Sequence, residues 1–157
     1  MTHSEGMFEL WSDAEVCRYS GVVKDYEGNV LPTPIQTQAH SDLIIDFWLR
    51  AASDEWGFRW SVLLSDQFVG TIGFNSLTDC AEIAYHLIPN YWGMGIMTEA
   101  YSALSKWAVT RGITHLEAFI EPENEGSKAL AQRMGMQRTG EVSEGAERYV
   151  SATADTL

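Results

Sequence analysis

The sequence predicts an α+β fold in which helices flank a central mixed β-sheet. Three observations predict it. Three alternating apolar runs at 58–64, 68–75 and 80–87 follow one another across short turns, as in a β-meander. Beyond them the period switches between helical spacing at 97–111 and 125–134 and a strand-like run at 114–120. Two last short runs, 137–142 and 147–152, face each other across Glu144-Gly145, a hairpin signal. Helices, then a meander, then β-α-β-α-β-β is the order of a sheet covered by helices.

Each element has a local reason. Ser12-Asp13-Ala14-Glu15 is a capping-box pattern, so a short helix is expected over 13–19. Gly21 then releases the chain into a loop containing Gly28, Pro32 and Pro34. Residues 37–52 read as a second helix, with Leu43, Phe47 and Leu49-Arg50 spaced for one buried face. Ser65-Asp66-Gln67 turns the first strand into the second. Gly112 stands where a left-handed cap would close the 97–111 helix, and Gly135 ends the 125–134 helix.

The chain has 157 residues, which fits one domain over 1–157 that would bury roughly two-thirds of its unfolded surface. No apolar run reaches the ~18 residues of a membrane span, and Met1-Thr2-His3-Ser4-Glu5 lacks a basic signal-peptide head. Cys17 and Cys80 form no metal or redox spacing and read as free thiols of a reducing, cytoplasmic compartment. The four histidines, His3, His40, His86 and His115, are dispersed, so no metal site is expected. The net charge of −12 argues against nucleic acid. Residues 1–100 carry −10 of it and residues 101–157 only −2. That acidic half suits a cationic acceptor, whose encounter it would speed, or serves solubility alone.

The most informative stretch is Tyr91-Trp92-Gly93-Met94-Gly95-Ile96-Met97-Thr98-Glu99-Ala100. A strand would feed a glycine-loosened turn, and the turn a helix whose first N–H groups are unpaired. Such an end attracts a phosphate through its free amides and the helix dipole. Further on stand Glu121-Pro122-Glu123-Asn124-Glu125-Gly126-Ser127 and a helix ending at Met134-Gly135-Met136.

Together these segments resemble the GNAT superfamily of acetyl-CoA-dependent N-acetyltransferases, over roughly residues 56–150. The family's Gln/Arg-x-x-Gly-x-Gly/Ala motif falls on Trp92-Gly93-Met94-Gly95-Ile96-Met97, where Gly95 fits strictly and Trp92 and Met97 depart. Tyr-Trp-Gly-x-Gly-Ile-x-Thr-Glu-Ala is similar to the branch that acetylates ribosomal-protein N-termini. Asn-x-x-Ser-x-x-Leu-x-x-x-x-Gly-Phe falls on Asn124, Ser127, Leu130 and Gly135, with Met136 in place of Phe. One departure concerns the fold. The strand that usually opens the family is expected to be missing, since Met7-Phe8-Glu9-Leu10-Trp11 stands where it would run. An uncovered sheet edge would invite a second chain, so a homodimer is among the expected partners.

The resemblance implies acetyl-CoA as co-substrate, held between the parallel strands at 80–87 and 114–120. Backbone at His86, Leu87 and Ile88 would pair with the pantetheine arm. The amides of Gly93, Met94, Gly95, Ile96, Met97 and Thr98, beside Trp92, would hold the pyrophosphate. Asn124 would anchor the pantetheine, and Ser127 would sit near the sulfur. Lys128 and Arg133 are candidates for the 3′-phosphate or ordinary helix charges. The implied chemistry is direct attack by a neutral amine, with an oxyanion donor at the Leu87 or Ile88 amide.

Glu82, alternating with Ile83 and Tyr85, is the first candidate for the base that takes the amine's proton, or else a structural carboxylate. Glu144 and Glu147 come next. The family's thiolate-protonating Tyr position is Ala131 here, which leaves Ser127, a water or Tyr85 for that role. Trp11, Trp48, Trp56 and Trp60 either pack the core or line a pocket for a cation. At pH ~7.4 an α-amine is about a quarter neutral and a lysine amine about a thousandth, so a site without a strong base matches an α-amine better. The expected acceptor is therefore a protein or peptide α-amine. A small amine such as a polyamine, aminoglycoside or amino acid is the alternative, and a CoA-binding domain without turnover the non-enzymatic one.

Overall fold

Alternation builds the meander where it was expected. The computed structural model describes residues 3–153. In it β1 spans Phe58–Leu64, β2 Gln67–Ser76 and β3 Cys80–Leu87. The β1–β2 turn carries Ser65 at φ 48° and Asp66 at φ 66°, the paired left-handed geometry that suits a two-residue hairpin. β4 (His115–Ile120), β5 (Gln137–Ser143) and β6 (Ala146–Ala152) complete a six-stranded sheet ordered β1-β2-β3-β4-β6-β5. β3 and β4 are parallel, whereas β6 runs antiparallel to both β4 and β5. The result is a mixed sheet flanked by α-helices.

Among the described residues five helices accompany it: α1 (His3–Trp11), α2 (Ala14–Cys17), α3 (Gln38–Ser53), α4 (Ile96–Thr110) and α5 (Glu125–Arg133), with a 3-10 turn at Pro89–Tyr91. The Asp13 side chain caps α2 by accepting the Glu15 and Val16 N–H groups at 2.8 and 3.2 Å. The short helix ends at Cys17, earlier than the expected 19. α1 occupies the segment that the sequence left unassigned, and no strand precedes it among the described residues.

α3 corrects the expected buried face. Ser41, Ile44 and Ala51 are buried, with Trp48 packed partly against the core, while Leu43 is 36% and Leu49 67% exposed. The stripe is the 3-4-3 spacing of one helix face. Arg50 lies off it, stacked on Tyr26 at 4.0 Å and paired with Glu27 and Asp46.

The chain packs as two compact units. One comprises 1–73 and 85–94, the other 74–84 and 95–157, so β2 and β3 each run through both. The first unit's core is built by Met7, Leu10, Trp11, Val16, Leu31, Ile35, Ile44, Phe68 and Ile88. In the second, Phe74, Leu104, Ala108, Leu116 and Ala131 are fully buried, and Phe74 packs against Trp107 with ring centroids 5.7 Å apart.

Candidate active site

The first unit supplies the end of β3 and the turn after it. Gly70 on β2 lets the two backbones close up, because a Cβ there would stand 2.3 Å from the His86 carbonyl oxygen. One rung on, the Ile88 N–H donates to the Val69 carbonyl at 2.8 Å. That bond removes Ile88 as an oxyanion donor and corrects half of the expectation. Strand N–H groups alternate in direction, so the Leu87 amide faces the opposite edge and is the remaining candidate. The Leu87 carbonyl accepts the Trp92 indole N–H at 2.7 Å. Tyr91 and Trp92 donate their backbone N–H groups to Ile88 and Pro89 at 3.0 Å each, which fixes the 3-10 turn.

The His86 side chain does something different from its backbone. Its ring lies 4.5 Å from the Trp11 ring, and its Nδ1 is buried without a hydrogen-bond partner. Burial, and secondarily the Arg59 charge, lowers its pKa to about 3, so the imidazole is neutral at physiological pH. Arg59 itself stacks over Trp48 at 3.7 Å. Trp56 packs on Phe47 and Trp48, and Trp60 on Phe58. Of the four early tryptophans, Trp11 is core and Trp48 already holds a cation of the chain's own.

Gly93 (φ 74°) and Gly95 (φ 80°) carry the chain into α4 in left-handed conformation, with Met94 exposed between them. No side chain caps the helix. Its first N–H groups, at Ile96, Met97 and Thr98, precede the first intrahelical donor, Glu99, which reaches the Gly95 carbonyl at 3.1 Å. An uncapped amino end behind two such glycines fits a diphosphate. Met97 is buried, so its departure from the family motif fills core.

In the second unit the β3–β4 pairing covers Cys80–Glu82 against His115–Glu117. Ala118, Phe119 and Ile120 continue in register with β6. Glu82 and Glu117 are therefore neighbours at the last parallel rung, on one face of the sheet. Asn75 donates its Nδ2–H to Glu82 Oε1 at 2.7 Å. Glu117 accepts from Arg148 Nε at 2.7 Å, and Arg148 also reaches Glu141 at 2.6 Å and the Cys80 sulfur at 3.7 Å. Burial, then the Glu117 charge, holds the Cys80 thiol above its ordinary pKa, so it stays protonated.

Asn124 caps α5, its Oδ1 accepting the Ser127 N–H at 3.1 Å, which leaves its amide donors for a ligand. Ser127 is half-buried in the first helical turn. Lys128 is spent locally on the Pro122 carbonyl and Glu125, at 2.9 and 2.8 Å, whereas Arg133 is exposed. Glu147 pairs with Arg138 and accepts from the Tyr149 hydroxyl. Among the described residues no cluster of His, Cys, Asp or Glu could hold a metal ion, and no helix is long and apolar enough to cross a membrane.

The acetyltransferase (GNAT) domain family matches residues 1–137. The chain belongs to the GNAT acetyltransferase family. It is 31% identical over 140 residues to the uncharacterized N-acetyltransferase p20 of Bacillus licheniformis, covering 84% of this chain and 72% of p20. Its fold is similar to that of the microcin C7 self-immunity acetyltransferase MccE, solved with acetyl-CoA and AMP. There the TM-score is 0.68 at 22% identity, over 74% of this chain and 72% of that one. It is similar too to the Salmonella typhimurium acetyltransferase that modifies the N-terminal serine of ribosomal protein L7/L12, with TM-score 0.67 and 18% identity over 75% of this chain and 76% of that one.

Asn75, Glu117 and Arg148 are the site-face residues that the sequence reading passed over. The alternation of His115-Leu116-Glu117-Ala118 marks Glu117 as polar-facing, but its place beside Glu82 depends on a register between strands separated by α4.

Proposed function

We propose that this GNAT family member transfers an acetyl group from acetyl-CoA to a primary amine by direct attack, with a protein or peptide α-amine as preferred acceptor. The observation that carries the reading is the uncapped amino end of α4 behind left-handed Gly93 and Gly95. Backbone at 86–88 and the amides of 93–98 beside Trp92, with Asn124 and Ser127, form the proposed co-substrate set, the Ile88 amide excepted because it is bonded to Val69. When bound, acetyl-CoA supplies an activated thioester carbonyl.

Glu82 takes the proton of the incoming ammonium, leaving the amine lone pair free to attack. The Leu87 N–H stabilises charge developing on the carbonyl oxygen, and Ser127 delivers a proton toward the departing sulfur. Neither thiol competes as nucleophile. Burial first, and a nearby carboxylate second, raises the pKa of both Cys17 and Cys80.

The α-amine preference is supported by the lack, among the described residues, of a His, Cys, Asp or Glu cluster that could hold an activating metal, and by the fold's likeness to an enzyme that modifies an N-terminal serine. The charge of residues 1–100 supports a cationic acceptor, so the rate at sub-saturating acceptor is expected to fall as salt rises through a few hundred millimolar. Reading the whole chain as one domain is supported by strands β2 and β3, which thread both units. The position of β1 at the end of the sheet supports a homodimer by strand addition, which sedimentation velocity would test.

Matched peptides decide the acceptor, one with only its α-amine free and one with only a lysine free, run beside a polyamine and an aminoglycoside. Mass shift on the first peptide is expected. Acetylation confined to lysine refutes the α-amine preference, and transfer only to the small amines replaces it. Binding of acetyl-CoA without any turnover reduces the chain to a CoA-binding domain.

A further inference from the structure

We infer that Asn75 is a positioning residue of the acetyl-transfer site, holding the Glu82 carboxylate where the acceptor's proton arrives. The inference rests on the reading of Glu82 as the base.

Two carboxylates stand side by side at the last β3–β4 rung, and they are fastened differently. Glu117 is bound by a cation, Arg148, at 2.7 Å, with its side chain 17% exposed. Glu82 is bound by a neutral amide, the Asn75 Nδ2 group, also at 2.7 Å. The difference assigns roles. A carboxylate tied to a guanidinium has its charge offset and one oxygen, Oε2, engaged by a cation, so it holds architecture. A carboxylate held by an amide keeps its full charge and one oxygen, Oε2, for an ammonium.

The neighbours make that arrangement workable. Two bare carboxylates in register would repel each other. Arg148 offsets the Glu117 charge and is shared with Glu141 on β5. Cys80, two residues back on the Glu82 face, is a protonated thiol and adds no charge. The groups around Glu82 are thus Asn75 from β2, Cys80 from its own strand, Glu117 from β4, and Arg148 and Glu141 beyond. The amide N–H fixes Oε1, so that proton transfer begins from one rotamer.

The test uses the full chain with acetyl-CoA and a peptide bearing only a free α-amine, and compares Asn75→Asp, Asn75→Leu, Glu82→Gln and the two double variants. Asn75→Asp is nearly isosteric and carries the test if Asn75→Leu fails to fold. It is expected to lower kcat roughly tenfold or more, since it replaces a charge-assisted hydrogen bond by repulsion. KM for acetyl-CoA should stay unchanged, and the acidic limb of the kcat/KM profile should move to higher pH. In the Glu82→Gln background neither substitution should cost anything further. An equal loss with and without Glu82, or a raised acetyl-CoA KM with an unmoved pH limb, overturns the role of Asn75. Normal kcat in both Asn75 variants, with Glu82→Gln impaired, also overturns it while leaving Glu82 as base. Near-full activity of Glu82→Gln overturns the base reading and this inference together.

Discussion

Trp92 donates its indole N–H to the Leu87 carbonyl across 2.7 Å, clamping the last residue of β3 to the turn that leads toward α4. The ring is half exposed, so the bond rather than burial is its main structural return. Trp92→Phe keeps an aromatic ring and deletes the donor. A neutral hydrogen bond is worth about 0.5–1.5 kcal/mol, so acetyl-CoA should bind about two- to tenfold more weakly, with kcat little changed. Isothermal calorimetry beside steady-state kinetics checks the split. An unchanged dissociation constant would leave the clamp without a part in co-substrate binding.

Gly95 separates backbone strain from charge. A Cβ there meets nothing within 4 Å, yet φ is +80°. Gly95→Ala should therefore cost only the left-handed penalty, about 1–2 kcal/mol, visible as a lowered Tm with acetyl-CoA binding retained. Gly95→Glu bears the same strain and sets a negative charge at the helix end. It should fold and lose binding. Calorimetry on both variants distinguishes an amide site for phosphate from a merely tight connection.

Much of this architecture was legible in the sequence, for local reasons. β1 and β3 have the boundaries that alternation predicted, and Gly112 and Gly135 have the positive φ their cap positions required. What was not legible depended on distant partners. The buried stripe of α3 runs through Ile44 and Ala51 rather than Leu43 and Leu49, because helical periodicity does not say which of two apolar stripes meets a neighbour. The Ile88 amide is consumed by Val69, nineteen residues earlier in number, which no motif records. The place of Glu82 on β3 was legible from its strand pattern, but its neighbours Asn75 and Glu117 lie on two other strands.

His86 makes stability depend on pH in one direction. Its folded pKa, about 3, lies below the ordinary value of 6.5. The unfolded chain thus takes up a proton that the folded one refuses. The stabilisation is full above pH ~6.5 and is lost as pH falls toward 3, by up to about 1.4 kcal/mol per unit. His86→Phe keeps a ring against Trp11 and removes both the titration and the unpartnered Nδ1. Its Tm should exceed that of the native chain at pH 5 by more than at pH 8. A parallel pH dependence in the two proteins would place the acid sensitivity in other groups.

Arg148 and Glu117 are predicted to be worth more as a pair than either is alone. Arg148→Met cuts the bonds to Glu117 and Glu141 and leaves the half-buried Glu117 carboxylate facing Glu82 without compensation. Losing hydrogen bonds between charged groups in such a setting should cost about 1.5–3 kcal/mol. Glu117→Leu alone strands the guanidinium, which still has Glu141 and solvent, and should cost less. The double variant Arg148→Met/Glu117→Leu replaces the pair by apolar surface and should recover part of the loss. Urea unfolding of all four proteins gives the coupling energy. A value near zero would mean that Arg148 does nothing for Glu117. The same set bears on the proposed catalysis: Arg148→Met leaves an uncancelled carboxylate beside Glu82 and should lower kcat, and removing Glu117 as well should restore it.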